Sequence, residues 1–241
     1  MSHSTFYRKY RSQKFDEIVG QKHIIQTLKN AIENDRLSHA YIFSGPRGTG
    51  KTSTARILAK SLNCRTGKGI SPCGICDLCT GITKGSSVDV IEIDAASNTG
   101  VDNIRDLNEK INFLPVECEF KLYIIDEVHM LSIGAFNALL KTLEEPPGRA
   151  IILLVTSLAG TLLPTVASRC RLVRFRALSP GEVEQALMRR NAAPELVSSL
   201  TSLCDGALGA ALNLLENPAS LEERASIVDM FAGLPGQDLW K

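Results

Sequence analysis

Gly45-Pro46-Arg47-Gly48-Thr49-Gly50-Lys51-Thr52 is the stretch whose reading decides the fold. A short apolar run, Ala40-Tyr41-Ile42-Phe43, precedes it, and a helix-like stretch from Ser53 to Leu62 follows. Strand, glycine-rich loop and helix, with the G-x-x-x-x-G-K-[ST] spacing complete, describe a phosphate-binding loop. The glycines let successive backbone N–H groups curl around an anion, and the positive end of the helix dipole faces it. Lys51 is expected to reach the β/γ-phosphates, and the Thr52 hydroxyl to ligate Mg²⁺. A glycine loop meeting an amphipathic helix by chance is the competing reading, and the complete motif in its required context weighs against it.

The remaining composition sets bounds. A chain of 241 residues can hold one large domain, or a medium one with a small companion. Apolar residues make up 44% and aromatics 5%, enough for a substantial core. The net charge of +1 argues neither for nor against a polyanionic partner. There is no apolar run long enough to span a bilayer, and the N-terminus is charged (Tyr7-Arg8-Lys9-Tyr10-Arg11), so a soluble, cytoplasmic protein is expected. In a reducing compartment the seven cysteines are expected as thiols or metal ligands.

Ahead of the loop, His23 to Asn34 places Ile24, Ile25, Leu28, Ala31 and Ile32 at helical spacing. Behind it, between residues 62 and 82, periodicity gives way to cysteines: Cys64, then Cys73, Cys76 and Cys79 in overlapping C-x-x-C pairs. Four thiolates can close a tetrahedral structural Zn²⁺ site, with Gly67, Gly69 and Gly74 supplying the bends. The residues alone also allow an iron–sulfur cluster or a redox pair. A thioredoxin-type pair, however, would open a helix after a strand without two further cysteines beside it.

Val88–Asp94 is expected as a second strand, followed by a turn over Ala95–Gly100 and a helix from Val101 to Phe113 carrying Arg105. A third strand, Phe120 to Ile125, delivers Asp126-Glu127 at its end. In parallel α/β sheets ligands sit beyond the carboxyl ends of strands, which puts both acids near the phosphate loop. Asp126 is expected to hold Mg²⁺, and Glu127 to polarise an attacking water. An exposed acidic turn is the plainer alternative. A helix from Ser132 to Leu143, a fourth strand from Ala150 to Thr156 and a fifth from Arg171 to Phe175 follow. The Thr156 hydroxyl either meets a phosphate or merely caps its strand. Composition shifts at Leu178-Ser179-Pro180, and beyond it helices are expected at 181–190, 194–203, 207–215 and 220–231. The expected organisation is an α/β nucleotide-binding domain over 1–177 and a helical lid over 178–241.

Several stretches together resemble the AAA+ clamp-loader ATPases, and within them the gamma/tau subunits of bacterial DNA polymerase III. They are Tyr10-Arg11, Phe15–Gln21, Gly45–Thr52, the cysteine module, Ile93–Ser97, Ile125–Met130, Phe136–Pro147 and Ser168-Arg169-Cys170. The resemblance implies an AAA+ fold, a parallel five-stranded sheet with an inserted Cys₄ zinc module and a helical lid. It implies ATP, Mg²⁺ and Zn²⁺ as cofactors. ATP would lie against Val19 and Gly20 at the adenine and Gly45, Pro46, Arg47, Gly48, Thr49, Gly50, Lys51, Thr52 and Ser53 at the phosphates. Thr156 would be the first sensor, and Arg169 an arginine finger acting on a neighbouring subunit's ATP. The plainer reading of Arg169 is a surface arginine beside a cysteine.

The segment Ser97–Val101 with Arg105 would face DNA phosphates, although an ordinary solvated helix face explains Arg105 as well. The implied partners are other clamp-loader subunits, a sliding clamp and primer–template DNA, and the implied function is ATP-driven clamp loading. Two departures stand out. Gly209 occupies the lid position where the family's second-sensor arginine is expected, and the chain stops before a helical collar. After about residue 150 the sequence looks more like the delta-prime subunit, which implies a second possibility: ATP bound without turnover, in a subunit that donates its arginine finger.

Overall fold

The computed structural model describes residues 11–67 and 70–216, so Tyr10, Gly69, the helix expected at 220–231 and the C-terminal tail lie outside it. The chain divides into two compact units, one of which is Arg11–Ala177, while residues from Leu178 onward belong to the other.

In the first unit β1 (Ala40–Ser44), β2 (Val90–Asp94), β3 (Lys121–Asp126), β4 (Ala150–Thr156) and β5 (Arg171–Arg174) form one parallel sheet. Their order is β2-β3-β4-β1-β5. The central strands β1 and β4 are buried along their whole length. Near-continuous apolar sequence is what a parallel strand needs when both its faces are covered. Alternation then sorts side chains between the faces. Ile42, Ile125 and Leu154 pack with Ile104 and Leu107 of α4 (Val101–Ile111) and Leu139 and Leu143 of α5 (Ile133–Glu144). Phe43, Ile124 and Leu153 pack with Leu28 of α1 (Lys22–Glu33) and Ile57 and Leu58 of α2 (Lys51–Asn63).

Two local features depart from the expected boundaries. The aperiodic cysteine stretch runs into a helix, α3 (Asp77–Lys84), which buries Leu78, Cys79 and Ile82. Eight residues are too few for a periodic signal to stand out. Strand β2 begins at Val90 rather than Val88 because Asp89 is turned inward and fully buried. Its carboxylate accepts backbone N–H bonds from Val116 (3.0 Å), Glu117 (2.7 Å) and Cys118 (2.9 Å). The turn leading into β3 is thus tied to the start of β2. A short helix, α6 (Pro164–Ala167), precedes β5.

The second unit contains α7 (Pro180–Met188), α8 (Pro194–Leu203) and α9 (Leu208–Glu216) among its described residues. Helix α7 opens with a reciprocal capping box between Ser179 and Glu182, which satisfies two backbone donors at its N-terminus. Among the described residues no helix is long and apolar enough to cross a membrane.

The Asp89 turn generates a prediction. Burial by itself would raise this carboxyl's pKa, but the bonds from Glu117, Val116 and Cys118 and the charge of Lys121 outweigh it and hold the pKa below the usual 3.8. The stabilising contribution is therefore complete above about pH 4 and is lost as pH falls further, through the lowered folded-state value. Asp89→Asn is expected to cost about 1–3 kcal/mol at neutral pH, read by urea denaturation, with the deficit shrinking in acid.

Candidate nucleotide site and metal centre

The sheet order brings the polar ends of three strands together. β4 lies between β1 and β3, with Ser44 opposite Thr156 and Ile125 opposite Leu154. Adjacent strands lie about 4.8 Å apart, so groups leaving β1 and β3 are within side-chain reach across the end of β4. The phosphate loop leaves β1 through Gly45, whose φ of 144° is one that side-chain-bearing residues rarely adopt. A Cβ at Gly45 would also overlap the carbonyl of Phe175, where β5 ends. Gly50, with φ 93°, turns the loop into α2, and its carbonyl accepts the N–H of Thr54 at 2.8 Å.

Lys51 opens α2 and folds back over the loop, its Nζ donating to the carbonyls of Gly45 and Pro46 at 2.8 Å each. It is buried, and desolvation lowers its pKa against the opposing pull of Glu127 and Asp126. On the next residue the Thr52 hydroxyl donates to Asp126 Oδ2 at 2.7 Å, joining α2 to the end of β3. Glu127 follows with φ 47°, a left-handed conformation that carries its side chain off the line of the strand. Its Oε1 accepts Arg47 Nε at 3.0 Å, and Ser157 Oγ lies 3.3 Å from Oε2. The Thr156 side chain is fully buried, with its hydroxyl 3.1 Å from His129 Nδ1. Lys51, Thr52, Asp126, Glu127, Arg47 and Thr156 thus surround the mouth of one loop.

The remaining expected site residues lie on other segments. Val19 and Gly20 are half-buried ahead of α1. There Gln21, a residue to which sequence reasoning assigned no task, ties the segment to the exit of β5. Its Nε2 donates to the Arg176 carbonyl at 2.7 Å, and its Oε1 accepts the Arg176 N–H at 3.2 Å. Arg169 sits between α6 and β5, where it bonds the Thr165 carbonyl and pairs with Glu144 at 2.6 Å. None of its hydrogen bonds or ion pairs reaches residues 45–53. Arg105 is exposed and pairs with Asp102 one helical turn away. Gly209 lies in the first turn of α9. Sequence reasoning also missed His129 and the Arg47–Glu127 pair, because spacing carries no sign of contacts between separate loops.

The cysteines form a second cluster. Cys64 caps the C-terminal end of α2, Cys73 and Cys76 flank Gly74 (φ 77°), and Cys79 lies in the first turns of α3. The sulfur atoms of all four lie within 4.8 Å of one another. Tetrahedral zinc with Zn–S bonds of 2.3 Å needs sulfurs about 3.8 Å apart, and Cys73 and Cys79 are at 4.0 Å. Backbone N–H groups of Gly67 and Cys73 point at Cys64 Sγ, and those of Ile75 and Cys76 at Cys73 Sγ. A hydrogen bond from Thr66, then those from Cys76 and Ile75, bring the Cys73 thiol down to about 5. Burial pushes the Cys79 thiol up. Lys60 of α2 is buried nearby with its ammonium on Gln13 Oε1 at 2.6 Å, and desolvation lowers its pKa against the opposing pull of Cys79 and Glu17. An all-sulfur donor set of this spacing fits a closed tetrahedral metal site.

Comparison with known proteins places the chain. Residues 20–179 match the family model described as DNA polymerase III, delta subunit. A DNA polymerase III subunit gamma from Buchnera aphidicola is 40% identical over 245 residues, which cover 98% of this chain and 68% of the relative. The chain belongs to this family of DNA polymerase III subunits. Two tau subunits of the family are closer in sequence: that of Bacillus subtilis at 48% identity over 91% of this chain, and that of Escherichia coli at 46% over 90%. The chain spans 40% and 34% of their respective lengths. Among solved structures, the Thermotoga maritima RuvB Holliday junction branch migration motor superposes with a TM-score of 0.63 over 91% of this chain and 67% of that one. At 16% identity that likeness concerns the fold alone. A gamma-subunit-related protein from the same organism superposes with a TM-score of 0.52 at 26% identity, over 80% of this chain and 57% of that one. The fold is that of the AAA+ P-loop NTPases, which the phosphate loop and the strand order fit.

The crowding at Gly45 is directly testable. Gly45→Ala is expected to cost about 1–3 kcal/mol, from a strained φ together with the clash at Phe175. Thermal unfolding without nucleotide is the measurement, and Gly181→Ala, where an added Cβ meets open space, is the control.

Proposed function

We propose that this chain is an ATP-binding clamp-loader subunit that hydrolyses ATP with Mg²⁺, and that its turnover helps load a sliding clamp onto primer–template DNA. The observation that carries the reading is the 2.7 Å bond between Thr52 and Asp126, which unites the phosphate-loop helix with the acidic end of β3. A hydroxyl and a carboxylate already in contact are the pair that would hold Mg²⁺ beside the phosphates.

When bound, ATP supplies the transferable phosphoryl group, and the chain's own residues supply position and charge. Gly45 to Ser53 would present N–H groups to the phosphates, while Val19 and Gly20 would flank the adenine. Lys51 would leave the carbonyls of Gly45 and Pro46 and neutralise phosphate oxygens. Asp126 and Thr52 would hold the cation, and Glu127 would take the proton of the attacking water. Thr156 would report on the terminal phosphate from the end of β4. Arg169, exchanging Glu144 for the ATP of a neighbouring subunit, would stabilise transition-state charge in trans. The N-terminal end of α4 with Arg105 would contact DNA phosphates.

Cys64, Cys73, Cys76 and Cys79 would hold Zn²⁺ as a structural ion, since four protein ligands leave no open position for chemistry. The setting would be a cytoplasmic hetero-oligomeric assembly in which any polymerase site belongs to another subunit. Gly209 favours one second reading: with no cation at that point of α9, the chain could bind ATP statically and serve by donating Arg169.

Turnover and binding separate these readings. In the assembled complex Glu127→Gln is expected to retain ATP and lose turnover by roughly 100-fold or more, and Lys51→Ala to lose tight ATP binding. Phosphate release and nucleotide titration measure the two. Turnover unchanged in both variants, with Arg169→Ala suppressing a partner's activity, would select the static subunit. The metal is checked separately: elemental analysis is expected to give about one zinc per chain, and chelation to remove the helical signal of α3.

A further inference from the structure

One titratable side chain beside the phosphate loop has no task in the reading above. His129 lies in the short turn after Glu127, with its side chain only 10% exposed. Its Nδ1 is 3.1 Å from Thr156 Oγ1 and 3.5 Å from Glu127 Oε2. A single ring nitrogen therefore lies between the end of β4 and the acid that follows β3.

The neighbours of this nitrogen are themselves held. Thr156 Oγ1 accepts the N–H of Leu158 at 3.0 Å, which fixes the hydroxyl's oxygen and leaves its proton to be donated elsewhere. Arg47 holds Oε1 of Glu127 at 3.0 Å, and Ser157 approaches Oε2 at 3.3 Å. Glu127 also carries the left-handed backbone conformation, which persists only where surrounding contacts over-determine it. A neutral imidazole nitrogen is either a donor or an acceptor, never both. If Nδ1 lacks the proton, its single lone pair accepts from the Thr156 hydroxyl, and the ring offers Glu127 no donor at that atom. If Nδ1 carries the proton, it donates, and Thr156 and Glu127 compete for it.

We propose that His129 is a positioning residue that joins the Thr156 hydroxyl to the Glu127 carboxylate through Nδ1, so that the bonding state of Thr156 sets the orientation of Glu127. The proposal rests on the ATPase reading of this site. When Thr156 donates to a bound phosphate, Nδ1 loses that partner, and the tautomer that donates to Glu127 Oε2 becomes favoured. The carboxylate is then held by His129 in place of its contacts with Arg47 and Ser157. Reading the phosphate and aiming the base become one event.

Four forms of the assembled complex test this: wild type, His129→Phe, His129→Asn and Thr156→Val, with the Phe–Val double variant closing a cycle. His129→Phe is expected to lower kcat roughly 10- to 100-fold while the Kd for ATP changes by less than about twofold. His129→Asn, which keeps a polar atom near the Nδ1 position, is expected to recover most of the rate. The double variant should be no slower than the slower single one, because both remove the same link. Additive losses, or a Kd that weakens in step with kcat, would overturn the proposal in favour of simple packing.

Nitrogen-15 NMR of the His129 ring in the full chain reads the link without turnover. The Nδ1 resonance should move in Thr156→Val and again in Glu127→Gln. A resonance unmoved by either substitution overturns the link. A resonance moved by both, in an assembly that hydrolyses no ATP, supports the link and overturns the ATPase reading instead.

Discussion

Burial of β1 between β4 and β5 is the constraint on which the site depends. A parallel strand covered on both faces cannot slip without exposing apolar side chains and breaking two ladders at once. Its last residue therefore has one possible position, and the loop that follows starts from a fixed point. The approach of Phe175 to Gly45 adds a second restraint, because nothing larger than glycine fits where β5 passes the loop. The loop's conformation follows from sheet packing.

From that anchor the chemistry is assembled by strand order. Interposing β4 between β1 and β3 gathers their ends, so that Thr52, at the start of the helix after β1, bonds Asp126 at the end of β3. Lys51 is satisfied by the loop's own carbonyls and Glu127 by Arg47. Buried polar groups left unpaired would be costly, and these internal bonds satisfy them.

The cysteine cluster sits at the other end of the phosphate-loop helix. Cys64 caps α2, while Lys51 and Thr52 open it, so one rigid element of 13 residues carries both centres. Backbone N–H groups aimed at Cys64 and Cys73 stabilise thiolate charge. The buried Lys60 places a positive charge near a metal centre that four thiolates would leave net negative. A metal held by these four cysteines would brace the module around α3.

Much of this was legible in the sequence by itself. The glycine–lysine spacing, the apolar runs of β1, β3 and β4, and the C-x-x-C pairs are local patterns, and local patterns determine strand, loop, helix and donor type. Eight residues of α3 and the inward turn of Asp89 were not legible, because a short helix lacks periodicity and an acid before a strand reads as a turn. The partners of Glu127, Thr156 and Gln21 were hidden for a different reason. Each lies across a sheet end from a residue 27 to 155 positions away, and only the packing of strands decides which loops adjoin. Sequence determined which chemical groups this protein carries and on which elements; tertiary structure decided which of them touch, because distance along the chain says nothing of distance across a parallel sheet.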